Sequence, residues 1–288
     1  MMKYSATLTG ILLLGVAVLR GAQPVPAQTA NEMIARARAY LGGDAALDAV
    51  NSVHFRGVLE PGNANPAGTK PEKLAVEIIF QKPYQQRIVI TGAESIETTA
   101  LDGASGWEEG REGSDPGQLR VLRPDQIKQL QANTWENLNF YKGIEQRGGS
   151  VAVLDSAQVE GHPAVKLVFT HDPGIVYYHY FDPESGRLLL TETEQGMSIR
   201  EEGEIFAGGV RFPRRVIQTT KSLDSHGQSV EQKLVLSFDK ITLNETFPES
   251  DFELPLVSFS SPAPVNPGSP TAVVKPPNPP SPPGPAGK

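Results

Sequence analysis

The chain has 288 residues, with 26 basic and 33 acidic side chains, a net charge of −7, and no cysteine. That composition excludes a disulfide framework, a thiolate metal site, a thiol nucleophile and a lipid anchor carried on cysteine. Glycine (28) and proline (25) approach a fifth of the residues, and the prolines are unevenly placed.

Residues 1–27 read as a secretory signal peptide. Lys3 supplies the basic start, Ala6 to Leu19 the apolar centre, and Val25-Pro26-Ala27 the small-residue site, with cleavage expected after Ala27. The uncharged run before Arg20 is about 16 residues, short of the ~20 that a membrane span needs. No span is therefore expected in the mature chain. Residues 28–259 carry the folded domain. At the other end, 11 of the 25 prolines fall within 260–288, with no aromatic to bury, so a disordered, polyproline-like tail is expected there. Setting both ends aside leaves 22 basic against 33 acidic side chains, a net −11. So acidic a domain is unsuited to nucleic acid and is repelled by anionic lipid surfaces.

Within the domain, Ile34, Ala37 and Leu41 give a helix its apolar face, with Arg36 and Arg38 on the other side. Gly42-Gly43 ends it, and Asp44 caps a short second helix over 45–50. A third helix starts at Pro124, with Ile127, Leu130, Thr134 and Leu138 on one face, broadened by Ala132 and Trp135. The rest reads as strands over 53–59, 73–81, 86–91, 95–101, 164–170, 175–181, 188–193, 198–206, 210–219 and 233–241. Turns such as Asp182-Pro183-Glu184-Ser185-Gly186 and Ala207-Gly208-Gly209 join them as hairpins. The expected fold class is α+β, a curved antiparallel half-barrel of about ten or eleven strands wrapped over a few helices. Its inner face is apolar and its outer face wet.

Motifs for chemistry are missing. The five histidines, His54, His162, His171, His179 and His226, form neither HExxH nor His-x-His, so His171 and His179 read as solvated or cross-strand residues. There is no Gly-x-Ser-x-Gly elbow, and Gly103-Ala104-Ser105-Gly106-Trp107 reads as a turn. Neither GxGxxG nor a Walker pattern occurs. Glu201 and Glu202 point to opposite faces of a strand and cannot converge, and their cluster reads as a solvated surface. No catalytic residue, metal or cofactor is expected.

Four segments resemble the LolA/LolB-type outer-membrane lipoprotein-sorting proteins. They are Ala39-Tyr40-Leu41-Gly42-Gly43-Asp44-Ala45-Ala46-Leu47 running into Val50 to Val53; Asp102-Gly103 followed by Trp107; Tyr178 to Leu189 continued by Gly209 to Val216; and Asn244 to Phe247 with Asp251 to Pro255. The resemblance implies a half-barrel with a helical lid whose concave face shields acyl chains in the periplasm. Without a cysteine, the chain looks like the soluble carrier, exported and monomeric, not the lipid-anchored receptor. The arginine that closes the lid in those carriers has no aligned counterpart among Arg56 and Arg87. The proline-rich tail and the loop from Pro61 to Pro71 depart from a minimal carrier. Lipoprotein acyl chains or another lipid are the implied ligands. Trp107, Trp135, Leu138, Phe140, Tyr141, Phe169, Tyr178 and Tyr180 are the candidates to line or gate the groove. The competing readings are an envelope-stress sensor using the same fold to bind a protein, and a scaffold that docks an envelope protein through the tail.

Overall fold

The first helix begins where the sequence supplies a reciprocal cap. In the computed structural model, which describes residues 29–62, 72–115, 117–172, 174–223 and 229–255, α1 (Ala30–Leu41) follows Thr29. The Thr29 hydroxyl accepts from the Glu32 amide at 3.2 Å, and the Glu32 carboxylate accepts from the Thr29 amide at 2.9 Å. The leader over 1–27 and the tail over 260–288 lie outside the described residues, as does most of the loop from Pro61 to Pro71.

After α1 come α2 (Asp44–Asp48), β1 (Ser52–Pro61), β2 (Leu74–Gln81), β3 (Gln85–Thr91), β4 (Ser95–Asp102), β5 (Ser105–Glu112) and β6 (Gln118–Val121). Then follow α3 (Pro124–Asn139), β7 (Ser150–Val159), β8 (His162–Asp172), β9 (Ile175–Phe181), β10 (Leu188–Thr193) and β11 (Met197–Glu202). The chain continues through β12 (Ile205–Ala207), β13 (Val210–Phe212), β14 (Arg215–Leu223) and β15 (Ser229–Leu243). Thirteen strands form one antiparallel sheet in the order β6-β5-β4-β3-β2-β1-β15-β14-β11-β10-β9-β8-β7, while β12 and β13 pair as a separate hairpin. The end strands β6 and β7 do not pair, so the sheet is unclosed.

The sheet must curve. Residues of α3 contact Gln86 on β3 and also His171 and His179 on β8 and β9. Strands β3 and β9 stand seven positions apart, which is roughly 34 Å across a flat sheet at ~4.8 Å per strand. A helix with its side chains is only about 10–12 Å wide. One helix touches both sets of strands because the sheet wraps around it.

Alternation then sorts every strand into an inner and an outer face. Val53, Phe55, Val76, Ile78, Phe80, Phe238 and Ile241 line the inner face and pack on Leu138 and Phe140 of the α3 end. A second inner cluster joins Met33, Ile34 and Ala37 of α1 and Trp135 of α3 to Leu167, Phe169, Tyr177 and Phe181. Across the outer face runs the segment 244–254. Ser52 donates to the Glu245 carbonyl at 2.6 Å, Phe247 sits edge-on to His54, and Trp107 donates to the Phe252 carbonyl at 2.9 Å.

Two expectations are corrected. The strand count exceeds ten or eleven because β5, β6 and β7 show little alternation in sequence. They lie at the two ends of the sheet, where most of their side chains meet solvent. The single strands expected over 198–206 and 210–219 are each divided. Gly203 (φ 65°) and Pro213 break the ladder, and the β12–β13 hairpin folds inward, burying Val210 and Phe212.

Candidate functional site

The inner face holds a polar network that the apolar periodicity of α3 conceals. Glu136 follows Ala132 by one helical turn and so lies on the buried face. Its carboxylate accepts from His171 Nε2 at 2.6 Å and from His179 Nε2 at 3.0 Å. The other ring nitrogen of His171 faces Arg147 Nη1 at 3.3 Å; an arginine only donates, so that nitrogen accepts and the Nε2–H points at Glu136. His179 Nδ1 pairs with the Thr191 hydroxyl at 2.9 Å. Burial pushes the Glu136 carboxyl up, but the charge of His179 and the hydrogen bonds from both imidazoles outweigh it, holding the carboxyl at about 2. His171 and His179 are therefore the cross-strand residues of the two readings, on paired strands β8 and β9, and both are buried rather than solvated.

Two histidines and a carboxylate invite a metal reading, and the second shell argues against it. A metal-bound imidazole donates its free N–H to an acceptor, whereas His171 turns that nitrogen toward a guanidinium. Among the described residues no group of three or more His, Asp or Glu side chains could hold a metal ion. The network instead ties α3 to β8 and β9.

A second tie holds the other end of the helices. Arg38 is 3% exposed although the helical pattern placed it on the polar side of α1. It donates to Asp44 and, at 2.6 Å, to Asp48, and also to the Asn139 and Phe140 carbonyls at 3.2 and 3.1 Å. One guanidinium thus joins α1, α2 and the last turn of α3. Phe140 (φ 47°) and Tyr141 (φ 70°) follow that turn in the left-handed region. Such backbone costs on the order of 1–3 kcal/mol per residue and persists only where packing dictates it. Here Phe140 packs on Phe212 in the first cluster, and Tyr141 packs on Phe169, His179 and Phe181 in the second.

Five of the sequence candidates gather on the inner side: Trp135, Leu138, Phe140, Tyr141 and Phe169. The other three do not join them. Tyr178 and Tyr180 alternate with the inward Tyr177, His179 and Phe181, and so face outward, where the Lys166 ammonium lies 4.4 and 4.9 Å from their ring centroids. Trp107 is in register with Ala100, which pairs with Arg87. Its neighbour Gly106 shares the inner row with Leu101 and Gln86, so Trp107 belongs to the outer face under Phe252.

A cavity of about 250 Å³ opens where the two inner clusters meet. Its apolar wall is Leu41, Tyr141, Leu188 and Phe212; its polar wall is Tyr40, Arg187, Glu201, Glu204 and Arg211. Two glycines let the backbones close around it. A Cβ on Gly186 (φ 80°) would lie 2.5 Å from the Arg36 carbonyl oxygen of α1, and one on Gly42 (φ 140°) would lie 2.5 Å from the Gly209 carbonyl oxygen. At the mouth Arg211 stacks over Tyr40 at 4.5 Å and pairs with Glu204, which also accepts from the Tyr40 hydroxyl at 3.2 Å.

Glu201 and Glu202 are both exposed, as expected of their cluster, but they point to opposite faces of β11. Glu202 does point outward, accepting from Arg215 at 2.7 Å, but Glu201 faces the cavity with no hydrogen bond or ion pair among the described residues. It is exposed to solvent within the cavity, so cavity water screens it in part. Burial pushes its carboxyl up to about 7, with the charge of His179 offsetting part of the effect. The folded chain therefore holds this proton to higher pH than the unfolded chain does. Stability is expected to fall as pH rises from about 4.5 to 7, by about 1–2 kcal/mol once screening by cavity water is allowed for. Chemical unfolding of wild type and Glu201→Gln across that window checks this; the variant should lack that part of the slope.

No protein-family model matches the sequence, and neither does any curated protein. Solved structures do match. A LolA superfamily protein from Nitrosomonas europaea superposes with a TM-score of 0.51 at 13% identity, over 78% of this chain and 98% of that one. The fold is LolA-like. A DUF1329 family protein from Desulfovibrio piger superposes at 0.48 with 9% identity, over 77% of this chain and 96% of that one. MucB superposes at 0.21 with 15% identity, over 79% and 63%. These last two superpositions are too loose to carry a functional argument. In this LolA-like fold the concave face is covered by α1 and α3, and no helix among the described residues is long and apolar enough to cross a membrane.

Proposed function

We propose that this is an exported, periplasmic, non-catalytic binding protein whose concave face takes the acyl chain of a lipoprotein or another lipid. The supporting observation is a division of roles on that face. The sheet lines it with apolar and aromatic side chains across most of its width, and the covering helices add discrete polar ties to their apolar packing. Those points are Glu136, Arg38 and the contact of Thr134 with Gln86, whose own Nε2 is buried without a partner. A contact between sheet and cover built only for stability would not keep an orphan donor on β3 that costs about 1–3 kcal/mol.

At about 250 Å³ the cavity is smaller than the ~300–1,000 Å³ of ordinary ligand sites. On this reading the helices cover the concave face when no chain is bound, and an acyl chain would occupy the space that Trp135 and Leu138 fill. Each buried methylene contributes about 0.8 kcal/mol, so a long chain can offset the undocking of α3. The LolA-like fold supports the same reading through the carriers that the sequence resembles. Displacement of a fluorescent fatty acid from the purified mature protein, with native mass spectrometry of the periplasmic form, tests it. Saturable displacement and copurified lipid are expected. Absence of both sinks the carrier reading.

A further inference from the structure

On the outer face of the sheet, one buried histidine stands between two carboxylates. His54 of β1 is 2% exposed; its Nδ1 lies 2.5 Å from a carboxylate oxygen of Glu245, and its Nε2 lies 2.8 Å from one of Glu77. Glu77 belongs to β2, and Glu245 to the segment 244–254 that runs like a strap across that face. A carboxylate only accepts, and a neutral imidazole has a single N–H. With a neutral ring, one carboxylate would face a nitrogen lone pair. Both contacts hold together only when the ring carries two protons. We infer that His54 is a proton-operated clasp, which as the imidazolium fastens the strap 244–254 to the outer face and on losing a proton releases it.

The surrounding charges agree. The Glu77 oxygen that faces His54 also accepts from Arg56 Nε at 3.2 Å. On β15, Thr242 is in register with His54, and Lys240 with Arg56. Glu77 and Glu245 are thus balanced by Arg56 and an imidazolium; a neutral ring leaves an excess negative charge at the base of the strap. Burial pushes the Glu77 carboxyl up, but the hydrogen bonds from His54 and Arg56 outweigh it and hold it below the ordinary range. The hydrogen bond from His54 holds Glu245 down as well. The strap starts from a fixed point, since Asn244 (φ 60°) turns the chain and its side chain accepts from the Asn51 amide at 2.7 Å. Beyond it, the fastenings beside His54 are uncharged: the Ser52 hydroxyl on the Glu245 carbonyl, the Gln81 side chain on the Phe247 amide at 3.2 Å, and the Phe247 ring edge-on to the imidazole. Release would bare Trp107, whose indole N–H is held by the Phe252 carbonyl. None of this depends on the acyl-chain reading.

Amide exchange across the range from about pH 5.5 to 9, on full mature chains and with β8 and β9 as internal reference for the intrinsic rate, tests the clasp. In wild type, residues 246–254 should be protected at the acid end and exchange at least about tenfold faster, relative to the reference strands, at the alkaline end. His54→Gln keeps one donor but does not titrate, so its strap should show no such pH dependence. Glu245→Gln, altered on the half-open strap, leaves the buried ring in place and should release at lower pH than wild type. Nitrogen NMR of the His54 ring counts the protons directly, and two ring N–H groups are expected where the strap is protected. A ring with one N–H in that state, or wild-type protection that stays level across the range, overturns the inference. So does a wild-type pH response in His54→Gln, or a release pH unmoved by Glu245→Gln.

Discussion

Replacing Glu136 with alanine is expected to lower the unfolding free energy by about 3–5 kcal/mol, the usual cost of breaking a buried charged pair from one side. The carboxylate is the shared acceptor for His171 and His179, and both imidazoles are almost fully buried. Removing it leaves two ring N–H groups facing a wall of Trp135, Phe169 and Tyr177 without their shared acceptor. Glu136→Gln keeps one acceptor and should cost less. The pH dependence has a definite sign. The folded-state carboxyl, at about 2, lies below its unfolded value, so its contribution is fully present above about pH 4.5 and is lost as pH falls toward 2. That loss is on the order of 3 kcal/mol. Urea unfolding of wild type and Glu136→Gln between pH 2 and 6 checks it, and the two curves should converge at the acid end.

Replacing Arg38 with alanine is the second large effect, about 3 kcal/mol by the same reasoning, reduced because Asp44 and Asp48 are half open to water. Asp48 keeps Lys142 at 2.7 Å, but the Asn139 and Phe140 carbonyls lose their donor. Those carbonyls lie at the entry to, and within, the left-handed pair at Phe140 and Tyr141, so the end of α3 should loosen first. Amide exchange in residues 136–142 is expected to speed up well beyond that in β1 or β2. Arg38→Lys should recover only part of the loss, because an ammonium cannot reach four acceptors spread over α2 and the end of α3. If α3 leaves the sheet as one body, the Glu136 and Arg38 substitutions will not add, since whichever is made first already frees the helix. Full additivity would mean that α3 does not undock as a unit, and the acyl-chain reading would lose its route onto the concave face.

Much of the architecture is legible from spacing. The glycine stop at Gly42-Gly43, the proline start at Pro124 and the hairpin turn at Asp182 to Gly186 each dictate local backbone, and each lies where the sequence puts it. Less legible are strands whose pattern is not apolar. β5 reads Ser-Gly-Trp-Glu-Glu-Gly-Arg-Glu, and only its neighbours in the sheet make it a strand. Trp107, Tyr178 and Tyr180 show the same limit, because alternation says which residues share a face but not which face is concave.

Cysteine-free composition, the net charge and the alternating strands were determined by the sequence by itself, and with them a broad antiparallel sheet able to bury one face. They follow from residue type and from neighbours a few positions away. Arg38, Glu136 and Glu201 were decided only by tertiary structure. Each is an ordinary polar residue on its own helix or strand, and each acquires its role from groups many residues distant. Arg38 gains it from carbonyls about a hundred positions on, Glu136 from histidines on two later strands. Glu201 gains it from a cavity that α1, the β9–β10 turn and the β12–β13 hairpin close together. The environment of a charge is set by what the curved sheet brings beside it, and local sequence carries no record of that.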